Sequence, residues 1–421
     1  MGDTKDLLYL HESSKQLMAI IDNLRKSTRN GFKVISSNLF LSIYSIINIA
    51  FIFILETETN YKTIVNFIEV NEFYFFVMLF LFTVIFMLLG ANYRKNYNPK
   101  INLLWNAVGI VFCILLFLGI KDVPGLIIYT FLGGFASGFC LPNVISAFLS
   151  KTDFNNRGSA CGFFTFLTFI LIIILSIFTS SNSAIPTIIA LLALKLISLP
   201  LSYKIKPMGF SSEEQVYVKT SYWTISAFMI VWLIFTVAEV VVGIIGNELL
   251  SSSAILLIVT ESYLIGLLAM MIGGILMDSY GRKKILIFAF AYLGLNYAVI
   301  SVTQLFQLTV IDGLAWGVLT VLLLLVLWGD LCEPTKRTVS IVIAFIIIDS
   351  NEILTHYFMK IIKTPTISQI FPITSIFLFI AVVIILILPE TIPERFLQKK
   401  ELEDYIQKVK KVSEKYKKQT N

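Results

Sequence analysis

The chain has 421 residues, a formal net charge of +6 and a mean hydropathy of +0.83; 57% of its residues are hydrophobic and 14% are charged. Ordinary soluble domains carry roughly 25% charged residues. This composition excludes a soluble globular protein and points to a bilayer, whose hydrocarbon solvates apolar side chains directly. Cys113, Cys140, Cys161 and Cys332 stand apart with no C-x-x-C pair, so they suggest neither a zinc site nor a redox motif and read as small packing residues.

Residues 1–33 open the chain on the cytoplasmic side. Leu7, Leu8, Leu10, Leu17, Met18, Ile20, Ile21 and Leu24 lie there among charged residues, the pattern of an amphipathic helix on a membrane surface or of a partly ordered tail. The first long apolar run begins near Val34, too late for a cleavable signal peptide. Runs long enough to cross a bilayer then follow at 34–55, 73–91, 101–120, 124–149, 160–180, 184–203, 223–246, 253–277, 284–303, 307–328, 338–359 and 367–388. Lipid offers no partner to a backbone amide, and these runs are too long for barrel strands, so each is a helix. The expectation is an all-α membrane protein of twelve transmembrane helices.

The loops alternate in charge. Of the 33 Lys and Arg residues, 28 fall on the side that holds the N-terminus, the even-numbered loops and the tail. Only Lys62, Lys121, Lys360 and Lys363 fall on the other side, and Lys195 lies inside a span. The positive-inside rule places both termini in the cytoplasm of a multi-pass cell-membrane protein. A cytoplasmic linker, 204–222, separates an N-terminal six-helix bundle (34–203) from a C-terminal one (223–388), and a cytoplasmic tail (389–421) ends the chain. Within it, 394–418 is rich in Lys and Glu, with Leu402, Ile406 and Val409 at helical spacing. No extramembrane segment is long enough for a catalytic domain.

The two halves look duplicated. Arg157 opens the fifth span after Asp153, and Arg337 opens the eleventh after Glu333, 180 positions later. Gly90 precedes Arg94-Lys95 after the second span; Gly274 precedes Asp278 and Gly281-Arg282-Lys283 after the eighth. Two six-helix repeats suit alternating access around a central site.

At Gly274-Ile275-Leu276-Met277-Asp278-Ser279-Tyr280-Gly281-Arg282-Lys283 the sequence resembles the major facilitator superfamily, whose pattern there is G-x-x-x-D-[RK]-x-G-R-[RK]. Glu333-Pro334-Thr335-x-Arg337 resembles the family's tenth loop, and Pro389-Glu390-Thr391 the P-E-T of sugar porters and related branches. The resemblance covers roughly residues 34–395. It implies two pseudo-symmetric six-helix bundles. It also implies a cytoplasmic latch in which Gly274, Asp278, Gly281, Arg282, Arg157 and Arg337 act as conformational-switch residues. The glycines allow close packing and a tight turn, and the carboxylate can cap a neighbouring helix or pair with a cation. Ser279 departs from the pattern, and the N-terminal copy lacks its Asp. The fifth span lacks the glycine-proline string of drug antiporters, and Ala238-Glu239-Val240 stands where sugar porters carry paired glutamines.

Ionisable groups at membrane depth are costly and mark candidate sites. They are Glu239 in the seventh span, Glu261 in the eighth, Asp312 in the tenth, and Asp349, Glu352 and His356 on one face of the eleventh. Glu239 is the leading candidate for substrate or proton coupling, with Glu261, Asp349, Glu352, His356 and the neutral Asn48 beside it. Asp312 reads as a group near the outer surface, and Lys195 as a lysine snorkelling to the cytoplasmic face. Ser42, Tyr44, Ser45, Ser137 and Asn143 are further polar residues of the N-terminal half. No metal-ligand spacing, phosphate loop or nucleophile–base pair is present, so neither a metal, a cofactor nor an enzyme is expected. The expected function is secondary active transport of a small polar solute by alternating access, with or without protons. Its partners are that solute and the lipid bilayer, not nucleic acid, and a monomer is compatible with the pattern. The alternative is a sensor or partner scaffold on the same fold.

Overall fold

The computed structural model describes residues 22, 24–93, 99–179, 183–205, 220–249, 252–333, 336–361 and 366–392, with isolated positions between 398 and 409. The candidate amphipathic stretch 7–24 apart from Asp22 and Leu24, Arg94-Lys95, Pro334-Thr335 and most of the linker and tail lie outside the described residues. So do the side chains of Glu352 and His356.

Twelve helices are long and apolar enough to span a membrane. We label them α1 Leu39–Glu56, α2 Glu72–Asn92, α3 Lys100–Leu118, α4 Asp122–Leu149, α5 Arg157–Thr179 and α6 Ala184–Lys204. The second half holds α7 Tyr222–Gly246, α8 Thr260–Tyr280, α9 Arg282–Thr303, α10 Phe306–Leu331, α11 Arg337–Thr355 and α12 Ile367–Ile387. No strand occurs among the described residues. The twelve expected spans are therefore present, with ends displaced by a few residues.

The displacement is informative at the N-terminus. The first span was expected from Val34, but residues 24–37 form a separate helix and α1 starts at Leu39. Asn38 (φ −118°, ψ 37°) interrupts the two. The 24–37 helix buries Ser27, Gly31, Val34 and Ile35 and exposes Arg25, Lys26, Arg29 and Lys33, one apolar stripe at helical spacing. Gly31 rests on Ser159 at the start of α5. A further helix, Glu58–Ile68, links α1 to α2.

Pairing among the spans repeats with a period of six. In the first half α2 packs on α4, α3 on α6, and α1 on α6 and α5. In the second, α8 packs on α10, α9 on α12, and α7 on α12 and α11. The contacts between halves obey the same relation, α5 with α8 and α11 with α2. The helical breaks correspond too. Residues 139–140 interrupt α4 before Pro142, and α10 widens into a π-helical stretch at Leu322–Val326. A proline cannot donate the helical amide bond, and a wide turn misplaces it, so both breaks free backbone groups for other partners.

Candidate functional site

The densest polar cluster lies at the Lys/Arg-rich face, where α5 meets α8 and α10. Asp278, near the end of α8, accepts hydrogen bonds from the backbone amides of Gly158 (2.8 Å) and Ser159 (2.7 Å). Those amides open α5, and the first amides of a helix have no intrahelical acceptor. A carboxylate there satisfies them and meets the positive end of the helix dipole. Ser27, on the 24–37 helix, donates its hydroxyl to the same carboxylate at 3.3 Å. Asp278 therefore caps a helix of the other half.

Two buried arginines and Asp330 complete the network. Arg282 Nη2 stands 3.0 Å from Asp278 and Nε 3.1 Å from Asp330. Its remaining donors reach the carbonyls of Met277 (2.7 Å) and of Phe154 across the interface (2.8 Å). Arg157 pairs with Asp330 from the other half, and its Nε and Nη2 bond to Thr152 at 2.9 and 3.1 Å. Two guanidinium groups thus face two carboxylates, all buried. Such burial is tolerable only where each charge is both paired and hydrogen-bonded, which Arg282 satisfies fully.

Close approach is required for this. A Cβ on Gly158 would stand 2.5 Å from the carbonyl oxygen of Gly274, and one on Gly274 would stand 2.3 Å from that of Gly158. Gly281, at φ +95°, makes the turn into α9. Glu390, after α12, accepts from the amides of Arg282 (3.1 Å) and Lys283 (3.2 Å) and so caps α9. Thr391 adds a hydroxyl near Asp330 at 3.4 Å. Arg337 is buried and donates to the carbonyl of Gly329 at 3.2 Å. Among the sequence candidates, the structure gathers Arg157, Gly274, Asp278, Gly281 and Arg282. It adds Asp330, Glu390 and Ser27. Glu390 was visible only as part of a motif, and Asp330 and Ser27 were not among the candidates.

Lys195 corrects an expectation. It does not snorkel: its side chain is fully buried in the first half. Nζ donates to Asn48 Oδ1 and to the carbonyl of Ala136, both at 2.9 Å. It lies 4.0 Å from the ring centre of Phe51 and 4.2 Å from that of Trp105. The break in α4 is the physical reason. The last turn before it presents carbonyls inward, and Trp105 takes that of Phe135 at 2.9 Å while Lys195 takes that of Ala136. Asn48, expected beside the solute, is likewise consumed within its own half. It donates to Tyr44 O (2.9 Å) and Ser198 (3.4 Å) and accepts from Lys195.

The acids of the second half are dispersed. Glu239 is half-buried on α7, with Tyr263, Tyr297 and Asp312 as electrostatic neighbours. Asp312, near the start of α10, is buried, 6% exposed. Asn296 holds its Oδ1 at 2.6 Å. Glu261 is exposed on α8 and does not meet this group. Asp349 is buried, 6% exposed, immediately before the turn at Ser350 that interrupts α11. Glu56, at the end of α1, is its electrostatic neighbour. Glu56 was passed over in the sequence because it reads as the polar end of a span. All four cysteines are buried and free.

Twelve spans, pairing that repeats every six helices, and a polar latch joining α5 to α8 and α10 define the fold of the major facilitator superfamily transporters. The particular structures it matches are distant in sequence. Over 86% of this chain and 97% of the other it is similar to the proton:xylose symporter XylE bound to 6-bromo-6-deoxy-D-glucose (TM-score 0.63, 15% identity). Over 85% and 98% it is similar to a bacterial homologue of the iron transporter ferroportin in an outward-facing state (TM-score 0.61, 11% identity). The sequence matches no family model, and no curated protein is similar to it in sequence.

Proposed function

We propose that the chain is a secondary active transporter that moves a small polar solute across the cell membrane by alternating access, with both termini in the cytoplasm. The observation that carries this reading is the latch. Arg157, Gly158 and Ser159 belong to one half, and Asp278, Arg282 and Asp330 to the other. These bonds tie the two halves together at the Lys/Arg-rich face. A latch of this kind is a two-state element: it forms when that face closes and dissolves into water when it opens. The halves divide between α6 and α7, as 34–203 and 223–388, joined by the 204–222 linker. The scaffold alternative drew on the degenerate N-terminal copy of the loop motif and on the basic tail, and no geometry at the latch calls for it.

Proton coupling, as in a symporter, is assigned to the carboxylates of the second half, with Glu239 first. It is half-buried on α7 and borders the Asp312–Asn296 pair. The test is uptake into proteoliposomes of a panel that includes sugars and cations, the cargo named for the two similar structures. With the panel solute that is taken up, an imposed proton gradient should raise accumulation in the wild type and leave Glu239→Gln unaffected. Uptake equally driven by the gradient in both proteins removes Glu239 from the coupling. No uptake of any class, with the latch variants described below also silent, counts against transport.

A further inference from the structure

The helix of residues 24–37 has two faces. Its buried face is fixed at the latch. Ser27 donates to Asp278 at 3.3 Å, and Gly31 rests on Ser159, where a Cβ would stand 2.7 Å from the serine side chain. Its open face carries Arg25, Arg29 and Phe32, spaced i, i+4 and i+7 and so aligned along one side. Lys26 stands beside them. All four side chains are exposed, and the ion pairs among the described residues engage none of the three cations. The backbone beneath them is already held, so a ligand bridging two of them has little else to order.

These residues, with Asp22 and with Phe163 of α5, line a groove of about 880 Å³. The rings of Phe32 and Phe163 meet edge to face, 6.4 Å between centres. Phe163 lies six residues into α5, about 9 Å along the span from Arg157. Ser27 reaches Asp278 at the first amides of α5, while Phe32 reaches Phe163, so the 24–37 helix descends beside α5 from the Lys/Arg-rich face. Arg29 and Arg25 lie three and seven residues back from Phe32, about 4.5 and 10 Å nearer that face. The groove is therefore graded along the membrane normal, cationic at the water and aromatic within the hydrocarbon. A soluble anion would use only the first end, and a bare acyl chain only the second. A phospholipid presents a phosphate and then a chain in that order. Three cations against the single carboxylate of Asp22 leave the groove a charge of about +2, which selects an anionic headgroup over a zwitterionic one. The planar fork of arginine matches two phosphate oxygens at once.

We infer that this groove binds one anionic phospholipid, its phosphate on Arg25, Lys26 and Arg29 and an acyl chain along Phe32 and Phe163. The lipid is held on the open side of a helix whose other side touches Asp278. The site goes beyond the transport reading and does not rest on it, because it needs only the bilayer and the placement of this helix beside α5.

The full chain, purified with equimolar phosphatidylglycerol and phosphatidylcholine, is read by native mass spectrometry for the lipid it retains. Each net positive charge near a lipid surface gives roughly a fivefold preference, so two give about thirtyfold for one retained phosphatidylglycerol. Arg25→Gln/Arg29→Gln should abolish the preference. Arg25→Lys/Arg29→Lys should keep most of it, which separates lost charge from misfolding. Lys151→Gln/Lys204→Gln removes as much charge from exposed positions of the same face and should leave the preference intact. Equal retention of the two lipids by the wild type overturns the inference, as does an equal loss in the Lys151/Lys204 variant, which would mean a diffuse surface field. Soluble glycerophosphoglycerol, which has the phosphate and no chains, should not displace the lipid; displacement would reduce the groove to an anion site and overturn the assignment. No flux is read, so this site can fail while solute uptake stands, and the converse.

Discussion

Replacing Asp330 by Asn changes one oxygen for one nitrogen at the centre of the latch. In the wild type this carboxylate receives Arg157 from the first half and Arg282 from the second, with all three side chains buried. Arg282 keeps Asp278 at 3.0 Å after the change, but Arg157 exchanges a carboxylate for at most a neutral amide oxygen and otherwise keeps Thr152 and the face of Phe154. Removing one partner of a buried ion pair costs about 3–5 kcal/mol. That cost falls on the closed latch alone, since Arg157 is hydrated once the halves part. Taking the lower end, because the two Thr152 bonds survive, about 3 kcal/mol shifts the closed-to-open ratio by roughly a hundredfold. Cys161, one turn outward of Arg157 and fully buried, reports the change. In a chain whose other three cysteines are alanine, a membrane-impermeant maleimide applied from the Lys/Arg-rich side should modify Cys161 about a hundred times faster in Asp330→Asn. Lys121→Gln, which removes the exposed pair with Glu69, should leave the rate unchanged. Unaltered labelling in Asp330→Asn, with the melting temperature retained, would refute the latch argument.

Gly158→Ala places a methyl against the Gly274 carbonyl, so the latch should open as in Asp330→Asn; the same maleimide assay reads it, and wild-type protection would show that the helices can separate at no cost. Lys195→Met leaves Asn48 Oδ1 and the Ala136 carbonyl without their donor, at about 1–3 kcal/mol each, partly offset by the relief of a buried charge. The net expectation is a lower thermal midpoint in detergent, partly restored in Lys195→Met/Asn48→Leu. Glu390→Ala uncaps α9 and should cost about 1 kcal/mol, seen as faster amide exchange at Arg282 and Lys283 with little change at Gly158 and Ser159.

Much of this architecture is written in the chain. Twelve apolar runs force twelve helices because lipid offers the backbone no other partner. The G-x-x-x-D motif named Asp278 and Arg282, and the turn at Gly281 between their two helices brings them to 3.0 Å. What the sequence could not supply is which distant groups meet. Lys195 looked like a snorkelling residue because its distance from the span end allowed it. Only the break in α4, with Asn48 and two aromatic rings beside it, gave its ammonium a better place inside. Asn48 was claimed by that lysine rather than by the cavity. Asp330 was no candidate, because its partners, Arg157 and Arg282, lie 173 and 48 positions away. Hydrophobic pattern is local and survives in a one-dimensional reading. Pairing of buried charges depends on how helices far apart in the chain are brought together, and only the packed bundle decides that.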